Sequence, residues 1–168
     1  MTTLTTPTYR LISDHGIAQV RQSLINQQNA LYAQRSFQPG EIIAEFSAGT
    51  IAADPTYLTV QVDIGKHITL QPEFLQYINH SCDPNVFFDT SLMKLVALRE
   101  IQTAEEMTFF YPSTEWEMTQ TFGCYCGSAH CIGEIRGAAF LSEDVWKRYR
   151  LTDFIQQQLA KRAARKVA

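Results

Sequence analysis

No cysteine precedes Cys82, and the 168-residue chain holds only four. That excludes a metal cluster built upstream of position 82. No apolar run approaches the ~20 residues a membrane helix needs, so no membrane span is expected. The opening MTTLTTPTYR has no basic segment followed by an apolar one, so no signal peptide is expected. The expected compartment is therefore intracellular, cytoplasmic or nuclear, where thiols stay reduced. There is no internal repeat, no long linker and no Ser/His/Asp pattern. What remains is 45% hydrophobic and 18% charged residues, enough for one compact domain with a core.

Charge is scarce and uneven. Residues 1–141 hold 7 Lys/Arg against 14 Asp/Glu, and residues 142–168 hold 7 against 3. An acidic body favours a cationic partner and makes direct nucleic-acid binding an unfavoured reading. Solubility alone is the plainer account of the same charge.

Three of the four cysteines crowd into CYCGSAHC (124–131). A C-x-C pair is too close to bridge comfortably. Clustered thiolates among turn-forming residues, with Cys82 completing four, suggest one tetrahedral zinc. Buried free thiols are the alternative.

Short runs rich in β-branched and aromatic residues predict strands: IIAEF (42–46), YLTVQV (57–62), HITL (67–70), VFF (86–88), LVAL (95–98) and MTFFY (107–111). Turn-formers punctuate them. QPEFLQYI (71–78) predicts one or two helical turns. Ser142 with Glu143 and Asp144 reads as a helix start. From Thr152 onward, Phe154, Ile155, Leu159 and Ala163 fall at roughly helical spacing, predicting a solvated helix packed on the body.

YINHSCDPN (77–85) crowds Asn, His and Cys into one place. It fits a surface turn, a Cys/His nucleophile pair, or part of a metal or cofactor site. A hydrolase built on His80 and Cys82 is a poor reading, since nothing supplies an orienting acid or an oxyanion site.

Read beside AEEMTFFYP (104–112) and FGCYCGSAHCIGEIRG (122–137), with IAEFSAG (43–49) and PTYLTVQVD (55–63) before them, the segment resembles the SET-domain protein lysine methyltransferases with a post-SET zinc cluster. The resemblance covers roughly residues 25–137. It implies a mainly β fold of short sheets with a pseudoknot, in which the YINHSC and FFY segments thread past each other, plus a C-terminal helical tail. It divides the chain into an N-terminal segment (1–24), the SET domain (25–119), a post-SET zinc loop (120–141) and a basic helical tail (142–168).

The activity it implies is methyl transfer from S-adenosylmethionine to a lysine amine of a basic protein or peptide. The alternative is a zinc-stabilised interaction module that keeps the fold without catalysis. By resemblance, Tyr111 is the catalytic tyrosine and also lies at the cofactor. Asn79, His80, Tyr57 and Tyr125 lie at the cofactor too. Phe109, Tyr111, Trp116 and Thr59 wall the lysine channel. Cys82, Cys124, Cys126 and Cys131 hold one zinc ion. Phe109 lacks the hydroxyl that holds a water in related channels, which implies di- or trimethylation. The family's G-x-G turn at the cofactor is replaced by Gln28, Asn29 and Ala30, and Thr59 stands where a channel aromatic is expected.

Overall fold

The structure is a computed structural model that describes residues 8–167. The opening MTTLTTP, read above for a leader, lies outside the described residues. None of the described helices is long and apolar enough to cross a membrane.

The architecture is five small sheets with a short helical end. Strands β1 (Tyr9–Asp14), β2 (Ala18–Ser23) and β3 (Asn29–Ala33) form an antiparallel meander. The boundary expected at 24/25 thus falls in the hairpin turn between β2 and β3, and the two sides share one sheet. β4 (Ile42–Glu45), β9 (Val86–Asp89) and β10 (Lys94–Ala97) form a second sheet, with β10 in the middle. β5 (Ser47–Ala52), β6 (Val60–Asp63) and β7 (Lys66–Gln71) form a third, with β7 in the middle. β8 (Asn79–His80) pairs in parallel with β11 (Thr108–Phe109), and β12 (Phe122–Gly123) pairs with β13 (Glu134–Ile135). A 3-10 turn, Glu73–Tyr77, delivers the chain to β8.

All six expected strand runs carry strand. Two are much shorter than their runs: strand covers only 60–62 of YLTVQV, after the turn at 56–59, and the MTFFY strand stops at Phe109 because a second 3-10 turn begins at Tyr111. Strands β1 and β2 went unread because polar residues interrupt both: β1 lies mostly at the surface, and β2 buries only the small Ala18 and Val20. Their sequence shows no long apolar alternation, and pairing with β3 supplies the order.

Two apolar clusters organise the molecule. The larger gathers Leu31, Phe37, Ile68, Leu75, Ile78, Phe88, Leu95 and Met107 from the first three sheets and the turn before β8. The smaller joins Cys82 and Cys124 to Phe110, Ile135, Leu151, Phe154 and Ile155. The C-terminal helix α2 (Asp153–Val167) therefore joins this cluster by one face, as its spacing predicts, and Arg162 ties it to the carbonyls of Ala139 and Leu141. α1 (Glu143–Trp146) is a single turn with Ser142 at its N-cap. The side chains of 109 and 110 face opposite ways, as an extended chain requires, and Tyr111 returns to the Phe109 side. Phe109 packs in the larger cluster and Phe110 in the smaller, while Tyr111 packs against both.

Candidate active site

The parallel pair β8–β11 sets Asn79 opposite Thr108 and His80 opposite Phe109. Ser81 N–H donates to Phe109 O at 3.1 Å, extending the pairing by one step. Asn85, almost fully buried, locks the strands from the far end. Its Nδ2 donates to Glu106 O at 2.7 Å, and its Oδ1 accepts from Thr108 N–H at 2.8 Å. A buried amide satisfied in this way holds two chain segments in one register.

Tyr111 follows immediately. Its N–H donates to His80 Nδ1 at 3.2 Å, so the other ring nitrogen, Nε2, carries the hydrogen. That Nε2 lies 3.4 Å from Cys82 Sγ. One imidazole therefore ties the tyrosine's backbone to the first cysteine. Burial pushes the His80 pKa down to about 4, so the ring is neutral. The Tyr111 ring lies 4.7 Å from that of Phe109 and 5.2 Å from that of His80, with Phe122 beyond at 5.9 Å. Its hydroxyl reaches Ile78 O at 3.5 Å, the outer limit of a hydrogen bond. Burial, followed by the charges of Glu115 and Glu106, pushes the phenol up to about 12. The hydroxyl is neutral at any physiological pH.

Asn79 Nδ2 donates to Asn29 O at 3.1 Å and to Glu106 Oε1 at 3.2 Å. Asn29 is thereby brought to the pair, and its own Oδ1 is enclosed without a partner. Gln28, Asn29 and Ala30 adopt no left-handed conformation. The positive φ of 61° falls one residue earlier, at Gln27, inside the hairpin turn. Glycine at 28–30 is not required for the backbone path taken here.

The four cysteine sulfurs lie within 4.8 Å of one another, and Cys82 Sγ is 3.9 Å from Cys124 Sγ. Sulfurs on a tetrahedral zinc with bonds of 2.3 Å sit about 3.8 Å apart. The donor set and the spacing both fit such an ion. Burial pushes the Cys82 thiol well up and Cys124 to about 11. Burial also opposes ionisation of Cys126, yet backbone hydrogen bonds and the neighbouring thiols bring it down to about 7. A cation among these sulfurs would favour the thiolates and release protons on binding. Its chemistry would be structural, joining the loop at 124–131 to the end of β8. His130 is exposed and outside the set.

Other expected site residues are placed elsewhere. Tyr57 is 86% exposed in the turn before β6, and Tyr125 is 96% exposed with its ring across Gly123. Thr59 closes a turn with Thr56, donating to its carbonyl at 3.0 Å. Trp116 packs half-buried against the smaller cluster. A cavity of about 490 Å³ runs between Cys82–Pro84 and Arg148–Arg150 and is lined by Phe110 rather than Tyr111.

Glu115 went unread. It is only 7% exposed, and its Oε1 accepts from Gln61 N–H at 2.8 Å and Thr114 Oγ1 at 3.1 Å. Backbone bonds fix it on both sides. Its N–H donates to Tyr111 O, and its carbonyl accepts from Ala138 N–H at 2.9 Å. Gly137, at φ 111°, is what allows that approach, since a Cβ there would meet Trp116 O at 2.5 Å. The available signal was a lone carboxylate closing the uncharged run MTFFYPST.

Burial pushes Glu115 up to about 7 from its ordinary 4.5. Between those two values the folded chain keeps a proton that the unfolded chain has lost, so stability falls as pH rises. The total loss is on the order of 3 kcal/mol, complete above about pH 7. Glu115→Gln retains the accepting oxygen and does not titrate. Its melting temperature should match the native protein near pH 4.5 and exceed it at pH 8. A gap that does not vary with pH would place the ionisation elsewhere.

The model of the SET domain matches residues 28–112, half of the chain. "Methyltransferase flvH" of Aspergillus flavus is 38% identical over 123 residues, covering 72% of this chain and 68% of that protein. A histone-lysine N-methyltransferase, H3 lysine-36 specific, of Gibberella zeae is 26% identical over 130 residues, 64% of this chain and 14% of its own length. A histone-lysine N-methyltransferase, H3 lysine-4 specific, of Emericella nidulans is 40% identical over 65 residues, 34% of this chain. This chain spans only 5% of that relative. The methyltransferase domain of human SETMAR superposes with a TM-score of 0.48 at 15% identity, covering 77% of this chain and 58% of that one. The matched span contains Asn29, Asn79, His80, Phe109 and Tyr111, and the chain belongs to the SET-domain family of methyltransferases.

Proposed function

We propose that the chain transfers a methyl group from S-adenosylmethionine to the side-chain amine of lysine in a protein or peptide, and can do so more than once. The observation that carries the reading is the neutral hydroxyl of the half-buried Tyr111, whose ring and backbone are set against His80 next to the β8–β11 pair. The cofactor's contribution when bound is a methyl group already activated for transfer. The enclosed, unpartnered Asn29 Oδ1 beside Asn79 fits a donor such as the cofactor's ammonium group.

The protein's own part is positioning and desolvation. Tyr111 offers an uncharged hydroxyl that can accept from, or donate to, an incoming amine. Phe109, Phe122 and His80 surround it with neutral rings, which exclude water and favour an amine that has lost its charge. A lysine-bearing substrate suits the acidic body, and the histone-lysine methyltransferase relatives support the protein substrate. A reduced compartment, cytoplasm or nucleus, keeps the four thiols available for a metal.

The test is mass spectrometry of basic peptides incubated with S-adenosylmethionine, with free lysine alongside. Methylated lysine within peptides is expected, carrying two or three methyl groups. Phe109→Tyr should shift products toward one methyl, by up to about thirtyfold per later step, because the added hydroxyl holds a water that a methylated amine must displace. Transfer to free lysine alone would move the substrate class to small amines. No transfer to any amine would favour the silent interaction module.

A further inference from the structure

We propose that Glu115 is the counter-charge that recognises the substrate's amine in its cationic form and guides it to Tyr111. This rests on the methyl-transfer reading above and adds a residue to it.

Three observations carry the inference. Glu115 is a nearly enclosed carboxylate, and no Lys, Arg or His pairs with it among the described residues. Buried carboxylates are normally paired, because an isolated charge is costly to remove from water. Both of its hydrogen bonds fall on Oε1. Oε2 takes none among the described residues, so it has the capacity for a further donor. The carboxylate is also held beside Tyr111. Thr114 Oγ1 links Glu115 Oε1 to Tyr111 O, and the charge is felt at the Tyr111 phenol. Gln61 holds it from β6, its N–H on Glu115 Oε1 and its own Oε1 accepting from Trp116 N–H. An ammonium group supplies both things the site lacks, a positive charge and a hydrogen-bond donor.

A purely structural role competes with this. In that case Glu115 is a clasp between β6 and the turn after Tyr111, and no ligand senses its charge. The two roles separate when charge and hydrogen bonding are changed independently. Glu115→Gln keeps an accepting Oε1 for Gln61 and Thr114 and removes the charge. Glu115→Asp keeps the charge on a shorter arm.

The probes are n-pentylammonium and its uncharged counterpart 1-pentanol. Each is titrated at pH 8, above the value of about 7 for Glu115, into isotopically labelled full-length protein saturated with S-adenosylhomocysteine. Amide shifts are followed by NMR. Pentylammonium should shift the amides of Gln61, Tyr111 and Glu115 and bind more tightly than 1-pentanol. Glu115→Gln should weaken pentylammonium at least about tenfold and leave 1-pentanol unchanged. Glu115→Asp should recover part of the preference.

Equal affinity of native protein and Glu115→Gln for pentylammonium would overturn the inference. So would a native protein that binds both probes alike, or shifts confined to amides far from these three. Loss of both probes together in both variants would assign the structural role. None of these readouts requires turnover, so a protein that transfers no methyl group fails the functional reading and leaves this result to stand or fall separately.

Discussion

Tyr111→Phe should lower methyl transfer by about a hundred- to ten-thousand-fold, the range for losing one positioned proton-handling group. The expected loss lies in the chemical step and not in folding or cofactor binding. Among the described residues the hydroxyl makes only one weak hydrogen bond, to Ile78 O at 3.5 Å. Removing it should change stability by less than about 1 kcal/mol. The backbone at 111 is held independently of the side chain's oxygen, through its N–H on His80 Nδ1 and its carbonyl on Thr114 and Glu115. The ring's packing against Phe109 and His80 survives in the variant. A single-turnover measurement beside a cofactor titration and a thermal melt separates the three effects. Full turnover in the variant would move the role to another residue.

Stripping zinc, or replacing Cys126 with Ser, should release the loop at 122–135 and loosen the C-terminal helix that shares its apolar cluster, while the first three sheets stay folded. Structural zinc sites contribute on the order of 10 kcal/mol or more in small peptides at neutral pH. Here the four sulfurs gather residues more than forty positions apart in the chain. The same cluster supports Phe110, which stacks on Tyr149 at 3.6 Å, and Tyr149 O–H donates to Cys82 O at 2.9 Å. The loop has little else to hold it. β12 and β13 are two residues each, too short for independent stability. Hydrogen exchange gives a direct reading. The Cys124 amide, bonded to Gly133 O at 2.7 Å, should lose protection on chelation, and the Leu31–Met107 backbone bond should keep it. Cofactor affinity should fall with the loop's order. A native protein free of zinc by elemental analysis, or exchange unchanged by chelator, would sink the idea.

Much of this architecture could be read along the chain. The six apolar runs carry strand because β-branched and aromatic side chains fit a pleated, half-buried surface wherever the sheet forms. The helix at 153–167 follows from spacing alone, and of the residues on its expected apolar face Phe154, Ile155 and Leu159 are buried while Ala163 is exposed. That the four cysteines could form one metal-binding set was legible because chemistry limits it, and the fold does bring their sulfurs together. Few side chains bind a soft cation, and four thiols in one short chain leave one arrangement to consider.

Other features depended on contacts that no local pattern encodes. β8 and β11 are strands of two residues, with no periodicity to read. They exist because Asn85 and Ser81 bond across a gap of more than twenty residues. Gln27 takes the turn's left-handed conformation in place of the residues expected to need it, because the β2–β3 register fixes where the hairpin closes.

Glu115 marks the division most clearly. The sequence determines that a carboxylate follows Tyr111 by four residues, and nothing local distinguishes it from the neighbouring Glu117. Tertiary structure alone decides that one is buried and the other is not. Gly137 admits the chain at 115–117 against 137–139, and Gln61 arrives from a distant strand to hold the carboxylate. Burial then changes its acidity, and no cationic side chain pairs with it among the described residues. Solvation is a property of the assembled neighbourhood, so a group's charge can be read from sequence but the cost of carrying it cannot.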